Sequence, residues 1–498
     1  MSSRGSSFRR NWVSLGIVTW WLVMCAALMW REYLAEGRPS SALVGALASE
    51  VDERQDWVGI YSQGEKLGYA NTKLHRQQEG WLLEEVALLR LSLLGIPREV
   101  RSSSSIITDP SFRLKAFRII LESGPTKYEA QGEVASTGLR VQLRSAGRAR
   151  SLEVPIREIP YVPQCLRYML LAQGFPEAGK RIRIPMLDPL TLTQQPMDIS
   201  VEAEDQLNLG GRIFEAFRLH YAWAGMSSRA WISRDGEMLL EEGFGGLRMV
   251  KETQAQAMGE GWSLSRGVDL FRAMAVPAQP HLERPRELTY LRVRFSGAEL
   301  SDFQVAGGRQ RKTGKDVVEV FKEELEKAGS YELPHAPSSA LAEALKSTML
   351  IQSDDPAIRE MAQRILAGER DAKRAVGLLL EWVHANVEKI PTISVPSAVE
   401  VLSTRQGDCN EHAVLFAALA RAVGVPTKVC AGLLYQDGRF YYHAWNEVFL
   451  GSWFSLDPTL GQFPADAGHV KLVEGELEGQ ARLVPLMGKL KAQILDHR

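Results

Sequence analysis

The chain has 498 residues, which is enough for two or three domains that each bury an adequate core. Its 59 Lys and Arg residues nearly balance its 60 Asp and Glu residues, and the net charge of −1 excludes a broad electrostatic attraction to nucleic acid. A hydrophobic fraction of 45% and a charged fraction of 24% are ordinary for a globular protein. We therefore predict no nucleic-acid partner.

An uncharged segment is the first feature along the chain. It runs from Trp12 to Trp30, follows several arginines and is closed by Arg31. About 20 apolar residues are enough to cross a bilayer, and basic residues ahead of them favour a cytoplasmic N-terminus. We therefore predict that residues 1–31 form a cytoplasmic tip and a single transmembrane anchor, with the following domains periplasmic or extracellular.

A cleavable signal peptide is the competing interpretation of the same segment, because its basic start would look similar. The apolar stretch is longer than the roughly 7 to 15 residues of a signal peptide. Bulky residues such as Trp20, Trp21 and Met29 also leave no small-residue cleavage site nearby. The sequence favours the uncleaved anchor.

A β-rich region is predicted after a linker at 32–52. From Trp57 to Leu247, apolar and polar residues alternate in short runs separated by turn residues. This pattern is typical of an antiparallel, meander-like sheet, which we assign to residues 53–275. Two histidines in this region, His75 and His220, are isolated and indicate no catalytic or metal site.

The pattern changes twice more before the C-terminal region. Short strand patterns predict a small strand unit and connector at 276–335. Helical signals follow, including Asp355 ahead of Pro356 and a long apolar stripe within Asp371 to Lys389. Helices followed by strands predict an α+β architecture for residues 336–498.

A cysteine at a predicted helix start is the strongest chemical signal. Asp408 has the features of an N-cap, Glu411 lies three residues later, and the apolar run from Ala413 to Leu419 follows. Cys409 therefore opens a buried helix. Unpaired backbone N–H groups at that point favour an anion and can form an oxyanion hole. We expect the Cys409 thiol to have a lowered pKa, in the range of roughly 3.5 to 7.5.

A histidine and an aspartate follow on two predicted strands of a hairpin. His443 lies in the aromatic-rich run from Arg439 to Leu450, and Asp457 ends the run that begins at Trp453. A thiol nucleophile needs a base, and the base needs a third group to fix its ring. The sequence thus predicts a triad of Cys409, His443 and Asp457.

Three short motifs carry a family resemblance: Gly-Asp-Cys at 407–409, His-Ala-Trp at 443–445 and Asp-Pro-Thr at 457–459. With them, the segment from Leu341 to Gly468 resembles the transglutaminase-like superfamily, whose fold is a rearranged relative of papain-like thiol proteases. The resemblance implies a transglutaminase-like domain in which Cys409 is the nucleophile, His443 the base and acid, and Asp457 the residue that orients His443. Members cross-link or deamidate glutamine side chains, cleave amides, or have lost activity.

Several roles stay open. Gln406 and Trp382 are alternative second oxyanion donors. Cys165 and Cys430 either form a disulfide or remain unbridged. His469 is interpreted as an ordinary strand residue rather than part of the cleft. The calcium-binding segments of animal transglutaminases have no recognisable counterpart, so we predict no metal requirement and no cofactor.

The predicted function is that of a membrane-anchored thiol enzyme that acts on amide bonds of a protein or peptide substrate, by transfer or by hydrolysis through a thioester. The alternative is a catalytically silent envelope scaffold or binding protein that uses its β-rich domain. The presence of three complementary groups favours the enzyme. Oligomeric state is not predicted.

Overall fold

In a computed structural model of the chain, the described residues are 51–498 apart from 94–95, 125, 137, 146–147, 176, 244–245, 260–268, 335–338, 392–394 and 396. Strands hold 49% of them and helices 21%. The fold is therefore more strongly β than the predicted α+β class, because the long helices fall mainly within residues 356–422 while strands make up most of the structure before and after them.

The first sheet contains fourteen strands and is antiparallel throughout. Its strands are β1 Arg54–Ser62, β2 Glu65–Gln77, β3 Gly80–Leu93, β4 Ile96–Thr108, β5 Leu114–Ser123, β6 Thr126–Ala135, β7 Gly138–Ser145, β8 Arg148–Val154, β9 Arg181–Asp188, β10 Thr193–Leu209, β11 Arg212–Trp223, β12 Met226–Ser233, β13 Met238–Glu242 and β14 Leu247–Glu252. They form two meanders, β1 to β8 and β9 to β14, which join where β1 pairs with β14. The sheet is antiparallel and meander-like, as predicted, but it combines two meanders in fourteen strands.

The second sheet contains nine strands drawn from distant parts of the chain. Its strands are β15 Val276–Gln279, β16 Tyr290–Ser296, β17 Gln310–Lys312, β18 Val317–Phe321, β21 Thr427–Gln436, β22 Arg439–Phe449, β23 Trp453–Leu456, β24 His469–Glu474 and β25 Lys491–His497, while β19 Glu388–Lys389 and β20 Gln406–Gly407 pair separately. The order is β17-β18-β16-β25-β15-β22-β21-β24, with β23 on β22. The predicted small strand unit is thus continuous with the strands that carry His443.

Helices cover both sheets. The α-helices are α1 Leu166–Gln173, α2 Gln254–Met258, α3 Leu270–Met274, α4 Pro356–Leu366, α5 Ala372–Asn386, α6 Ala398–Thr404, α7 Cys409–Ala422 and α8 Leu477–Ala481, and 3-10 turns lie at Pro163–Cys165, Pro285–Glu287, Leu325–Lys327, Ser339–Leu345 and Val484–Leu486. Helix α7 is buried at every position from Glu411 to Ala420. A helix that is apolar all round belongs in a core, and α4, α5 and α6 pack around this one.

The hydrophobic core explains how the first sheet and the helical layer meet. One cluster of buried residues extends from the inner face of the first sheet, for example Ile106 and Phe117, through α1 to the buried side chains of α7. A second cluster continues along the β21–β22 pair, around Leu433 and Phe440, and joins it to β15, β16 and β25. Strands β21 and β22 therefore contribute side chains to both clusters, which fixes their position beside α7.

The predicted membrane anchor and single-pass localisation need correction. Across the described part of the chain, none of the helices combines the length and the apolar character needed to cross a membrane. The uncharged segment from Trp12 to Trp30 lies outside the described residues. Hydropathy alone carried that prediction, and the fold class is corrected to a β-rich protein with two large antiparallel sheets and one helical layer.

Candidate functional site

The start of α7 is built as its sequence predicts. The carboxylate of the N-cap Asp408 accepts a hydrogen bond from the backbone N–H of Asn410 at 2.8 Å. The side chain of Glu411 accepts one from the backbone N–H of Asp408 at 3.0 Å, which completes a capping box. A Cβ on Gly407 would lie 2.2 Å from the Cβ of Glu411, so glycine is needed there. Cys409 is consequently fixed as the first helical residue.

The sulfur of Cys409 lies between α7 and β22. It is half-buried, and the backbone N–H of Ala444 donates a hydrogen bond to it. Burial raises the pKa of the thiol well above its ordinary value, and Asp408, Glu411 and Asp457 raise it further, although the Ala444 hydrogen bond opposes them. The expected lowering of this pKa was therefore wrong, because nearby carboxylates and burial outweigh the helix start. The resting sulfur is a neutral thiol.

His443 and Asp457 are brought together by the β22–β23 hairpin. Nε2 of His443 lies 2.7 Å from Oδ2 of Asp457, which is completely buried. The other carboxylate oxygen accepts hydrogen bonds from the backbone N–H groups of Thr459 at 2.7 Å and Leu460 at 3.0 Å. These contacts orient the His443 ring through Nε2 and leave Nδ1 for a reacting group.

Strand β24 adds a second histidine to the same aspartate. Nε2 of His469 lies 3.0 Å from Oδ2 of Asp457, the oxygen that His443 also contacts, and the His469 side chain is fully buried. Trp445 packs edge-on against the His469 ring at 5.3 Å. The interpretation of His469 as an ordinary strand residue was wrong. Its spacing from Asp457 gave no helical or hairpin signal, and only the pairing of β24 with β21 brings it back.

A second carboxylate holds the far side of His469. Its Nδ1 lies 3.1 Å from Oδ1 of Asp466, whose Oδ2 accepts hydrogen bonds from Arg286 at 2.9 Å and Gln462 at 3.0 Å. Burial alone would raise the pKa of Asp466, but His469 and Arg286 lower it to about 2. A chain of alternating positive and negative charges therefore runs from Arg286 through Asp466 and His469 to Asp457.

The charges of this chain are set by its contacts. Burial alone would raise the pKa of Asp457, but His443 and His469 hold it well below its usual range. Burial alone would lower the pKa of His469, but Asp466 and Asp457 raise it. His469 is therefore an imidazolium between two carboxylates, with one N–H directed at each.

The remaining histidine near the nucleophile has a structural role. Both ring nitrogens of His412 face backbone carbonyl oxygens, that of Asp408 at 2.7 Å and that of Val387 at 3.3 Å. Burial lowers its pKa. Its side chain braces the first turn of α7.

The two suggested oxyanion donors have other partners. Nε2 of Gln406 donates to Glu388 at 3.1 Å, and the guanidinium of Arg405 lies 4.2 Å from the ring centre of Trp382. Neither contact joins them to His443 or Asp457. A cavity of about 580 Å³ lies beside Gln406, lined by residues 384–389 and 404–406, so Gln406 borders a space next to the helix start.

The open question about cysteine pairing is answered by the structure. Cys165 lies at the inner face of the first sheet and Cys430 lies in β21, and both are buried and unbridged. Burial raises the pKa of each thiol. Both are inert core residues, which leaves Cys409 as the accessible thiol of the described chain.

One set of side chains in the described residues has the composition of a metal site. Ligand atoms of His443, Asp457 and His469 all lie within 4.8 Å of one another. Both imidazoles, however, direct an N–H at one carboxylate oxygen at hydrogen-bonding distance. An ion would have to displace those protons inside a fully buried site, so we assign the group as a hydrogen-bond network rather than as metal ligands.

The site has the signatures of a known superfamily. Residues 359–458 match the model of the transglutaminase-like superfamily. The chain therefore carries a transglutaminase-like domain, a class of thiol-enzyme fold, as its three motifs predict. The match ends at residue 458, before Asp466 and His469. The domain defines a chemistry and leaves the substrate open.

Three known proteins resemble parts of the chain. An uncharacterized protein of Mycobacterium leprae (strain TN) is 27% identical over 106 residues, which are 19% of this chain and 37% of that protein, so the chain spans little more than a third of that relative. A candidate cysteine protease from Cytophaga hutchinsonii, at 18% identity and a TM-score of 0.29, covers 42% of this chain and 86% of its own. A β-barrel-like protein from Brucella abortus, at 10% identity and a TM-score of 0.31, covers 40% and 96%.

Proposed function

We propose that this chain is a thiol enzyme that breaks or exchanges amide bonds, with Cys409 as the nucleophile, His443 as general base and acid, and Asp457 as the orienting residue. The observation that carries the proposal is the 2.7 Å contact between His443 and Asp457, made by a strand whose next residue, Ala444, binds the Cys409 sulfur. Strand β22 thus binds the Cys409 thiol and also carries His443, the base that Asp457 orients.

The neutral resting thiol determines how the first step begins. As the Cys409 sulfur forms its bond to the carbonyl carbon of a bound amide, Nδ1 of His443 takes the thiol proton. The carbonyl oxygen becomes an oxyanion near the backbone N–H of Cys409, the first residue of α7, since the Asp408 carboxylate already accepts from the N–H groups of the next two residues. Asp457 stabilises the imidazolium that forms.

The second half of the reaction releases two products in turn. The imidazolium of His443 gives its proton to the amine nitrogen as the C–N bond breaks, which leaves a thioester on Cys409. Water then attacks the thioester while His443 takes one of its protons, and the C–S bond breaks to release a carboxylic acid and the thiol. If a primary amine attacks instead of water, the product is a new amide.

The substrate class is proposed to be a protein or peptide. Both glutamine side chains and peptide bonds present the carboxamide that this mechanism needs. The cavity beside Gln406, lined by His384, Lys389 and Arg405 as well as Glu388, offers hydrogen-bonding groups of both charges for a polar chain. It is the region where we place the substrate next to the helix start.

A direct test uses the full chain with an electrophilic amide-mimicking probe. Labelling of Cys409 that disappears in the His443→Ala variant supports the activated thiol. Equal, slow labelling of both proteins would instead favour a catalytically silent scaffold. A labelled primary amine and a glutamine-containing peptide then separate the two reactions, since incorporation of the amine indicates transfer and shorter products indicate hydrolysis.

A further inference from the structure

The Asp457 carboxylate is shared between two imidazoles, and the mechanism uses one of them. Oδ2 accepts from His443 at 2.7 Å and from His469 at 3.0 Å, while Oδ1 accepts from two backbone N–H groups. The carboxylate thus has four donors around it. Removal of His469 would leave one lone pair of Oδ2 buried and unpaired, at a position that fixes the His443 ring.

We propose that His469 is a positioning residue of the thiol site. Together with Asp466 and Arg286, it holds Asp457 in place and offsets part of the negative charge that Asp457 presents to His443 and Cys409. This inference rests on the proposed function and extends it beyond the three residues of the triad. None of the residues in this extension lies within the segment that matches the superfamily model, residues 359–458.

The protonation state of His469 supports its assignment as a positioning residue. A neutral imidazole has one N–H, but Nε2 faces Asp457 at 3.0 Å and Nδ1 faces Asp466 at 3.1 Å. Ionised carboxylates only accept hydrogen bonds, so both contacts are satisfied when His469 carries two protons. A positive charge therefore sits beside Asp457, on the same carboxylate oxygen that His443 contacts.

The positive charge of His469 affects the Cys409 thiol through Asp457. Asp457 is among the carboxylates that oppose formation of the Cys409 thiolate. A cation in contact with Asp457 offsets part of this repulsion, because the field of a paired carboxylate is weaker than that of an isolated one. The titratable and charged groups that face His469 directly or through Asp457 and Asp466 are His443, Cys409, Asp457, Asp466, Arg286 and Arg309.

The packing around the ring shows that its position is fixed. Trp445 lies edge-on to His469 at 5.3 Å and parallel to His443 at 6.2 Å, so one indole contacts both rings. The backbone N–H of Gly468 donates to Asp466 at 2.8 Å and fixes the other carboxylate. His469 cannot rotate away from Asp457 without breaking these contacts.

The test compares the pH profile of Cys409 alkylation in full-length variants. In His469→Gln, which keeps one donor but no charge, we expect labelling at neutral pH to slow several-fold and the pH of half-maximal labelling to rise by about one unit or less. Asp466→Asn leaves the imidazole in place but weakens its charge, so it should move the midpoint in the same direction by a smaller amount.

A matched control distinguishes positioning from loss of folding. Phe117→Leu shortens a buried side chain in the core of the first sheet and leaves the hydrogen bonds of the thiol site in place, so it should lower the melting temperature without moving the labelling midpoint. If His469→Gln keeps the wild-type midpoint, or merely lowers the folded fraction as Phe117→Leu does, the positioning role is refuted. Failure of the wild type to label at Cys409 would instead overturn the proposed function itself.

Discussion

The backbone N–H of Ala444 is hydrogen-bonded to the sulfur of Cys409. This contact ties the first residue of a buried helix to the strand position that follows His443. The proposed nucleophile and base are therefore positioned by one helix–strand contact, and Asp457 follows at the end of the next strand in the hairpin. The chemical consequences can be tested separately.

Alkylation should select Cys409 among the described cysteines. With an uncharged alkylating reagent on the folded protein, we expect modification of Cys409 and none of Cys165 or Cys430, because the last two are completely buried. The rate should rise steadily from neutral to alkaline pH, since burial and neighbouring carboxylates raise the pKa of the Cys409 thiol. Peptide mapping by mass spectrometry reports both results. A fast, pH-independent reaction near neutrality would contradict the neutral resting thiol.

Replacement of Asp457 by asparagine should cost activity without removing the nucleophile. The amide cannot accept from both imidazoles as the carboxylate does, so the His443 ring loses its orientation and its imidazolium loses stabilisation. We expect kcat/KM to fall by about 10,000-fold, the loss of turnover seen when the orienting aspartate of a Ser-His-Asp triad is replaced by asparagine. Steady-state kinetics measure this, and Asp437→Asn, at the exposed β21–β22 turn, is the control. An unchanged kcat/KM in the Asp457 variant would exclude the orienting role.

The Gly407 position makes a prediction about stability. In Gly407→Ala the new methyl group would collide with the Glu411 side chain, which caps the helix. We expect a loss of about 1 to 3 kcal/mol in the free energy of unfolding. In a Glu411→Gly background the same substitution should cost less, because the colliding Cβ and the rest of the side chain at position 411 are gone. Urea titration of the four proteins provides the cycle, and equal costs in both backgrounds would disprove the contact.

Stability should also depend on pH through the charge chain. The lowered pKa values of Asp457 and Asp466 mean that both carboxylates contribute stability above their ordinary value of 3.8, and that each contribution is lost as the pH falls through the folded value, which is about 2 for Asp466. The raised pKa of His469 contributes stability that is complete below 6.5 and is lost as the pH rises through its folded value.

The histidine contribution can be isolated by difference. The melting temperature of the wild type minus that of His469→Gln should be largest between about pH 4 and 6.5 and should shrink at higher pH. At its maximum we expect a difference of about 2 to 4 kcal/mol in unfolding free energy, because the substitution removes the cation that lies between two buried carboxylates. A difference that grows with alkaline pH would show that the ring is neutral in the folded protein.

The inner face of the first sheet contains an acid that opposes folding. Burial raises the pKa of Glu85, although Thr72 and Arg167 act against this. A raised carboxyl pKa means that stability is lost as the pH rises above its ordinary value of 4.5. Glu85→Gln should therefore stabilise the protein at pH 7 by about 1 kcal/mol and have less effect near pH 4. Glu84→Gln, on the exposed opposite face, should change little in the same thermal scans.

Local sequence signals predicted the parts of the site that depend on neighbouring residues. The capping pattern of Asp408 and Glu411 placed the helix start at Cys409, and the structure has it there. Asp437 and Gly438 are a residue pair typical of a tight hairpin turn, and both have positive φ angles, 50° and 76°. Such signals arise because caps and turns are satisfied within a few residues.

Long-range pairing explains what the sequence did not reveal. His469 reaches Asp457 because β24 pairs with β21, opposite Leu434, and nothing in the residues around it specifies that partner. The thiol pKa was predicted from the helix start alone, whereas the burial that raises it most comes from the packing of α7 against distant parts of the chain. An acid three residues before a histidine, as in Asp466 and His469, was the available hint of a charged pair.

The mixed origin of the second sheet limits how the chain can be divided. Strand β25 lies between β16 and β15, and β15 in turn pairs with β22, which carries His443. A fragment that begins at the predicted boundary, residue 336, would lack β15 and β16 and would expose both edges of β25 and one edge of β22. Open strand edges invite intermolecular pairing, so such a fragment should precipitate. Expression of the thiol region in isolation should therefore start before Val276.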